Sequence, residues 1–152
     1  MITAGIISLR STGTTVWIPL FLTHLARGYA ELGQFLDASH AIGEALRVIE
    51  TSKESWYEAE TLRVAGEIEL LSPESNAQKA EADLERAIAV AREQQVKSLE
   101  LRAAMSLARL WRDQGKPQQA RELLAPIYGW FTEGFDTVDL KEAKALLDDL
   151  VS

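Results

Sequence analysis

The sequence predicts an all-α chain whose helices pair into about three hairpins laid side by side. Three observations carry that expectation. Apolar residues recur at three- and four-residue steps through most of the chain, the spacing of one helix face. Single glycines and prolines break that rhythm at intervals of helical length. A pattern of small and large side chains returns three times, in residues 22–45, 62–91 and 104–127.

Taken in order, residues 1–9 are short and apolar on most sides, and Ser11, Thr12, Gly13, Thr14 and Thr15 form a loop. From residue 16 to 32 the positions Ile18, Leu22, Leu25, Ala26 and Tyr29 define one helix face, with Pro19 in the first turn where its missing N–H costs nothing. Gly33 stops that helix. Its partner runs from residue 35 to 49 through Ala38, Ile42, Ala45, Leu46 and Ile49. Ser55 and Glu58 have the spacing of a capping box. They predict a third helix that buries Trp56, Ala59, Leu62, Ala65, Gly66 and Leu70. Residues 71–75 break it, and Ser75 with Gln78 suggests a second capped start. The fourth helix carries Ala80, Leu84, Ala87, Ile88 and Ala91. A fifth spans 97–114, and a sixth begins at Pro117 and contains Pro126, which removes a backbone bond and should bend the axis. After a turn at residues 134–137, a last helix over 138–150 places Leu140, Ala143, Leu146, Leu147 and Leu150 on one side.

The three units align residue by residue. The first reads Leu22, Leu25, Ala26, Tyr29, then Gly33, then Ala38, Ile42, Ala45. The third reads Ala104, Leu107, Ala108, Trp111, then Gly115, then Ala120, Leu124, Ile127. The middle unit is looser, with Leu62, Ala65, Gly66, Glu69 and then Ala80, Leu84, Ala87. Small residues at Ala26, Gly66 and Ala108 let two helix backbones approach, facing Ala38, Ala80 and Ala120, while Tyr29 and Trp111 fill the space beside them. This pattern resembles the tetratricopeptide repeat (TPR). It departs from it in two ways: the glycines Gly33 and Gly115 set a period near 41 rather than the usual ~34, and Glu69 stands where an aromatic is expected. The resemblance implies a right-handed α-solenoid with repeats over residues 16–50, 55–94 and 97–133. Residues 1–13 would be the remnant of a preceding helix and 137–151 a capping helix. A non-repeating helical bundle is the alternative.

A second likeness lies toward the C-terminus. The runs Ser98-Leu-Glu-Leu-Arg-Ala-Ala, Leu107-Ala-Arg-Leu-Trp111, Tyr128-Gly-Trp-Phe-Thr-Glu-Gly-Phe-Asp-Thr137 and Leu140-Lys-Glu-Ala143 carry it. They are similar to the C-terminal TPR regions of bacterial regulators in which a class III adenylate/guanylate cyclase domain and a STAND-type ATPase precede the repeats. The similarity covers most of residues 14–150 and contains no catalytic motif. It implies a cytoplasmic signalling or scaffolding role.

Composition narrows the function classes. The chain has 152 residues, 47% of them apolar, enough for one domain with a sizeable core. Against 23 Asp+Glu stand only 16 Lys+Arg, the wrong balance for binding a nucleic-acid backbone. Cysteine is absent, which removes disulfides, thiolate metal sites and cysteine nucleophiles. The apolar patch at residues 16–22 is far short of the ~20 residues that span a bilayer, and the N-terminal segment lacks the basic start and unbroken apolar run of a signal peptide.

No phosphate-binding glycine loop is present. Asp37 and His40 stand three apart on a helix, but two ligands do not make a metal site. His24, the paired carboxylates and the serines read as surface, packing or capping groups. The expectation is therefore no enzyme, no metal and no cofactor. The first helix of each hairpin would offer an inner face with Thr23, Arg27 and Glu31, then Glu60, Arg63 and Glu67, then Arg102, Met105, Arg109 and Arg112. Five arginines there suit an acidic peptide or protein partner through bidentate contacts, with Arg27, Arg63, Arg102, Met105, Arg109 and Arg112 as the binding residues. The alternative is that Glu31, Glu60, Glu67 and Asp113 already neutralise them. At the other end Ile2, Ile6, Ile7, Trp17 and Phe21 form a candidate oligomer or domain interface. A small-molecule sensor is the second functional reading, favoured if a cavity of several hundred Å³ lies near Met105 and Leu70.

Overall fold

A computed structural model describes residues 17–53 and 55–151, and Ile2, Ile6 and Ile7 lie outside them. Among the described residues the chain is all-helical, with α1 (Ile18–Glu31), α2 (Phe35–Ser52), α3 (Glu58–Leu71), α4 (Ala77–Gln94), α5 (Lys97–Asp113), α6 (Pro117–Trp130) and α7 (Val138–Leu150). Each helix packs on the next. The odd-numbered helices also touch one another in sequence, α1 on α3, α3 on α5 and α5 on α7. No two even-numbered helices touch among the described residues.

The α1–α2 and α5–α6 turns are built alike. Gly33 and Gly115 adopt φ of 79° and 78°, and the amides after them, Gln34 and Lys116, each bond back 2.8 Å to Tyr29 and Trp111. Both are Schellman closures, in which a left-handed residue lets the chain turn back onto the last carbonyls. The α4–α5 turn closes the same way through Gln95, at φ 59° without the freedom of a glycine.

Small residues sit where helices cross. Ala26, Ala38, Ala80, Ala108 and Ala120 have no exposed surface, and Gly66 is buried against α4. Their lack of bulk lets Leu22, Leu62, Leu84, Leu107 and Leu124 close the remaining space. The largest buried cluster joins α3 to α7 through Leu84, Leu101, Leu107, Leu124, Leu140 and Leu146. A smaller cluster joins α1, α2 and α3 through Ala26, Ile42, Val64 and Ile68.

Several local expectations need correction. α3 starts at Glu58, not Ser55, and its N-terminus has no side-chain cap. Residues 56 and 57 form a turn instead, and the Ser55 carbonyl accepts from Gln94 at 2.7 Å. Trp56 is not buried in the hairpin; it is 38% exposed and meets Trp17 edge to face at 5.5 Å. α4 is capped by Asn76, whose side chain accepts from the Lys79 amide, rather than by Ser75. Glu69, in the place of an aromatic, accepts from the Asn76 amide at 3.1 Å and pairs with Lys79, stapling the longer middle loop. Pro126 lies within α6, which continues to Trp130.

Candidate functional site

The odd-numbered helices turn a common polar edge toward one cavity of about 330 Å³. Helical spacing sets what they present: Thr23, His24 and Arg27 from α1, Glu60, Arg63 and Val64 from α3, Arg102, Met105 and Arg109 from α5, and Asp139 and Glu142 from α7. Tyr57, just before α3, completes the wall.

Arg63 and Glu60 are its centre. Glu60 is 7% exposed and receives Arg63 through both oxygens, at 2.8 Å each. Burial alone would raise the Glu60 pKa. The hydrogen bonds and charge of Arg63, aided by Arg102 and Arg27, outweigh burial and hold it below the usual carboxylate range. Arg63 also binds Glu67 at 2.7 Å, and these pairs raise its pKa against the effect of burial. Burial and the Glu60 charge push the Tyr57 phenol upward.

The network spans all four helices. Glu67 also accepts from Arg27 at 3.0 Å and Ser106 at 2.7 Å. Arg102 bridges α3 and α7, with Asp139 at 2.9 Å and Glu60 at 3.3 Å. Its pKa is raised chiefly by the hydrogen bond to Asp139. Arg109 faces Glu142 at 3.5 Å. Behind these groups Thr23 and Thr61 share a buried contact at 2.9 Å between α1 and α3.

A second cavity, about 430 Å³, adjoins the first along α3 and α5. Leu70, Leu71 and Leu110 give it an apolar lining, with Glu67, Ser106, Arg109 and Asp113 at its edges. Arg109 belongs to the walls of both cavities.

The structure brings Arg27, Arg63, Arg102, Met105 and Arg109 together, as the helical spacing suggests, but leaves Arg112 out of the cavity. Arg112 pairs instead with Asp113 and Asp149, each at 3.2 Å. Glu60 and Glu67 neutralise arginines as the alternative reading required, whereas Glu31 is exposed and forms no ion pair among the described residues. Sequence reasoning missed the α7 carboxylates and Tyr57. The signal for the former was present, since Asp139 and Glu142 are three apart on a helix whose opposite face is leucine-rich. At the other end Trp17 and Phe21 are partly exposed, 48% and 38%.

No group of three or more metal-ligating side chains converges among the described residues, and no helix there is long and apolar enough to cross a membrane. No protein-family model matches the chain, and no curated protein matches it significantly.

Proposed function

We propose that the chain is a non-catalytic protein–protein interaction module, a right-handed α-solenoid of tetratricopeptide-like hairpins that receives a partner segment along α1, α3, α5 and α7. One observation carries the reading: these helices touch in succession and pool their polar edges into one furrow. The matching Schellman turns at Gly33 and Gly115 support the repeat. The role is that of a regulatory or scaffolding element in a bacterial cytoplasmic signalling assembly. The half-exposed Trp17 and Phe21 support a further contact, with a second copy or another domain, at the start of α1.

The internal carboxylates change what the arginines ask of a partner. An acidic segment competes with Glu60, Glu67, Asp139 and Glu142 rather than meeting free guanidiniums, so affinity rests on shape and apolar contact as much as on charge. A sensor for a small organic ligand is the second reading, favoured by the two cavities beside Met105 and Leu70.

Panning a random-peptide display library against the full chain tests the proposal. Enriched clones should compete with one another and lose binding to the double variant Arg27→Glu/Arg109→Glu. Clones that bind that variant equally, or no enrichment at all, would refute the furrow. A thermal-shift screen in which a small molecule stabilises the chain where no peptide binds would favour the sensor instead.

A further inference from the structure

We infer that the partner segment presents a bulky aliphatic side chain beside a carboxylate, the aliphatic group seating among Leu70, Leu71 and Leu110 and the carboxylate taking Arg109 from Glu142. The inference rests on the furrow reading above and specifies its occupant.

The argument begins with the unequal engagement of the guanidiniums. Arg63 is held by Glu60 and Glu67 at 2.7–2.8 Å, and Arg102 by Asp139 and Glu60 at 2.9 and 3.3 Å. Arg27 donates to Glu67 at 3.0 Å. Among the described residues Arg109 has one ion-pair partner, Glu142, at 3.5 Å without a formed hydrogen bond, and the two side chains are 39% and 53% exposed. A solvent-facing pair of that length holds weakly. A guanidinium with its donors uncommitted can take a carboxylate through two parallel bonds.

Arg109 is also the wall between the charged cavity and the apolar one. On the apolar side Leu110 is a buried floor and Leu71 stands 63% exposed, so an aliphatic group placed there removes exposed apolar surface from water. Of the acidic groups at that edge, Glu67 already accepts from Arg27, Arg63 and Ser106, while Asp113 is 69% exposed and turns to Arg112 at 3.2 Å. The spare valence is thus a donor next to an apolar seat. A basic residue following the aliphatic one would meet the Arg109 charge and be repelled.

The test is NMR on the full chain, following backbone amides and leucine methyls during titration with a capped Gly/Ser peptide carrying one Leu-Glu pair, and a second with Glu-Leu. At least one order should shift the Leu70, Leu71 and Leu110 methyls and the Arg109 Nε. Replacing the peptide's Glu by Gln, or its Leu by Ser, should weaken binding roughly tenfold. Leu71→Ser alters an exposed position and Arg109→Gln a half-buried one at the cavity wall, and both should keep the wild-type spectrum elsewhere. Arg109→Gln should abolish discrimination between the Glu and Gln peptides, and Glu142→Gln should tighten the Glu peptide. Equal binding of the Glu and Gln peptides, or no effect of Glu142→Gln, would overturn the pairing. If these peptides fail while display-selected clones bind beside Arg27, the occupant is wrong and the module stands. If both fail, both readings fall.

Discussion

Gly66 of α3 lies so close to α4 that a β-carbon there would stand 2.8 Å from Leu84 Cγ and 3.2 Å from the Ala80 carbonyl oxygen. Among the described glycines it is the closest approach a β-carbon would make. Gly66→Ala gains helix propensity but forces Leu84 and the α4 backbone aside, a net loss of about 1–2 kcal/mol. Gly28→Ala, with nothing within 4 Å, should instead gain up to about 1 kcal/mol. Urea unfolding of the two variants checks the opposite signs.

Glu60 links stability to acid. Its folded pKa lies below the ordinary 4.5, so its stabilisation is complete at neutral pH and is lost as pH falls through 4.5 toward the lower folded value. Glu60→Gln should cost about 2–4 kcal/mol at pH 7, because Arg63 and Arg102 lose a buried counter-ion. It should also flatten the acid limb of a melting-temperature profile. A variant whose profile keeps the full wild-type slope would assign that slope to other carboxylates, among them the buried Glu100, whose pKa is also lowered.

The left-handed turn residues differ in strain. Gln95→Gly should stabilise by about 0.5–1 kcal/mol, since glycine meets no β-carbon penalty at φ 59°. Gly115→Ala, at φ 78°, should destabilise by about 1–2 kcal/mol. Thermal melts of both, beside wild type, read the difference.

Thr23 and Thr61 have two hydroxyl protons for three contacts: Thr23 to the Pro19 carbonyl at 2.7 Å, Thr61 to the Tyr57 carbonyl at 3.0 Å, and the pair to each other at 2.9 Å. Each single valine variant should cost about 1 kcal/mol. The double variant should cost less than the two together, because the contact between the two hydroxyls is lost in each single variant and can be lost only once. Additive losses in the cycle would show that the two groups act independently.

Much of the helical layout was legible because burial on one face leaves a 3.6-residue record, as in Ala80, Leu84, Ala87, Ile88 and Ala91 of α4. The arginine cluster was legible for the same reason: Arg102, Met105 and Arg109 must share an edge of α5 once its opposite face is known. What answered those arginines was not. Asp139 reaches Arg102 from 37 residues away, and only the packing of α7 on α5 brings it there. Ser55 shows a local signal overruled by its neighbours. The Trp56 ring packs against both Trp17 and Tyr57, and residues 56 and 57 form a turn ahead of the helix. Glu69 shows the reverse, a break in pattern that the longer loop requires.

The helix contacts have a consequence for failure. Among the described helices only α3 touches both the α1–α2 pair and the helices that follow it. Damage to α1 or α7 therefore shortens the folded array from one end, whereas damage to α3 severs it. α5 is a second such joint, contacting both the α3–α4 pair and the α6–α7 pair, so unfolding of either inner helix would free segments that share no other helix-to-helix seam among the described residues.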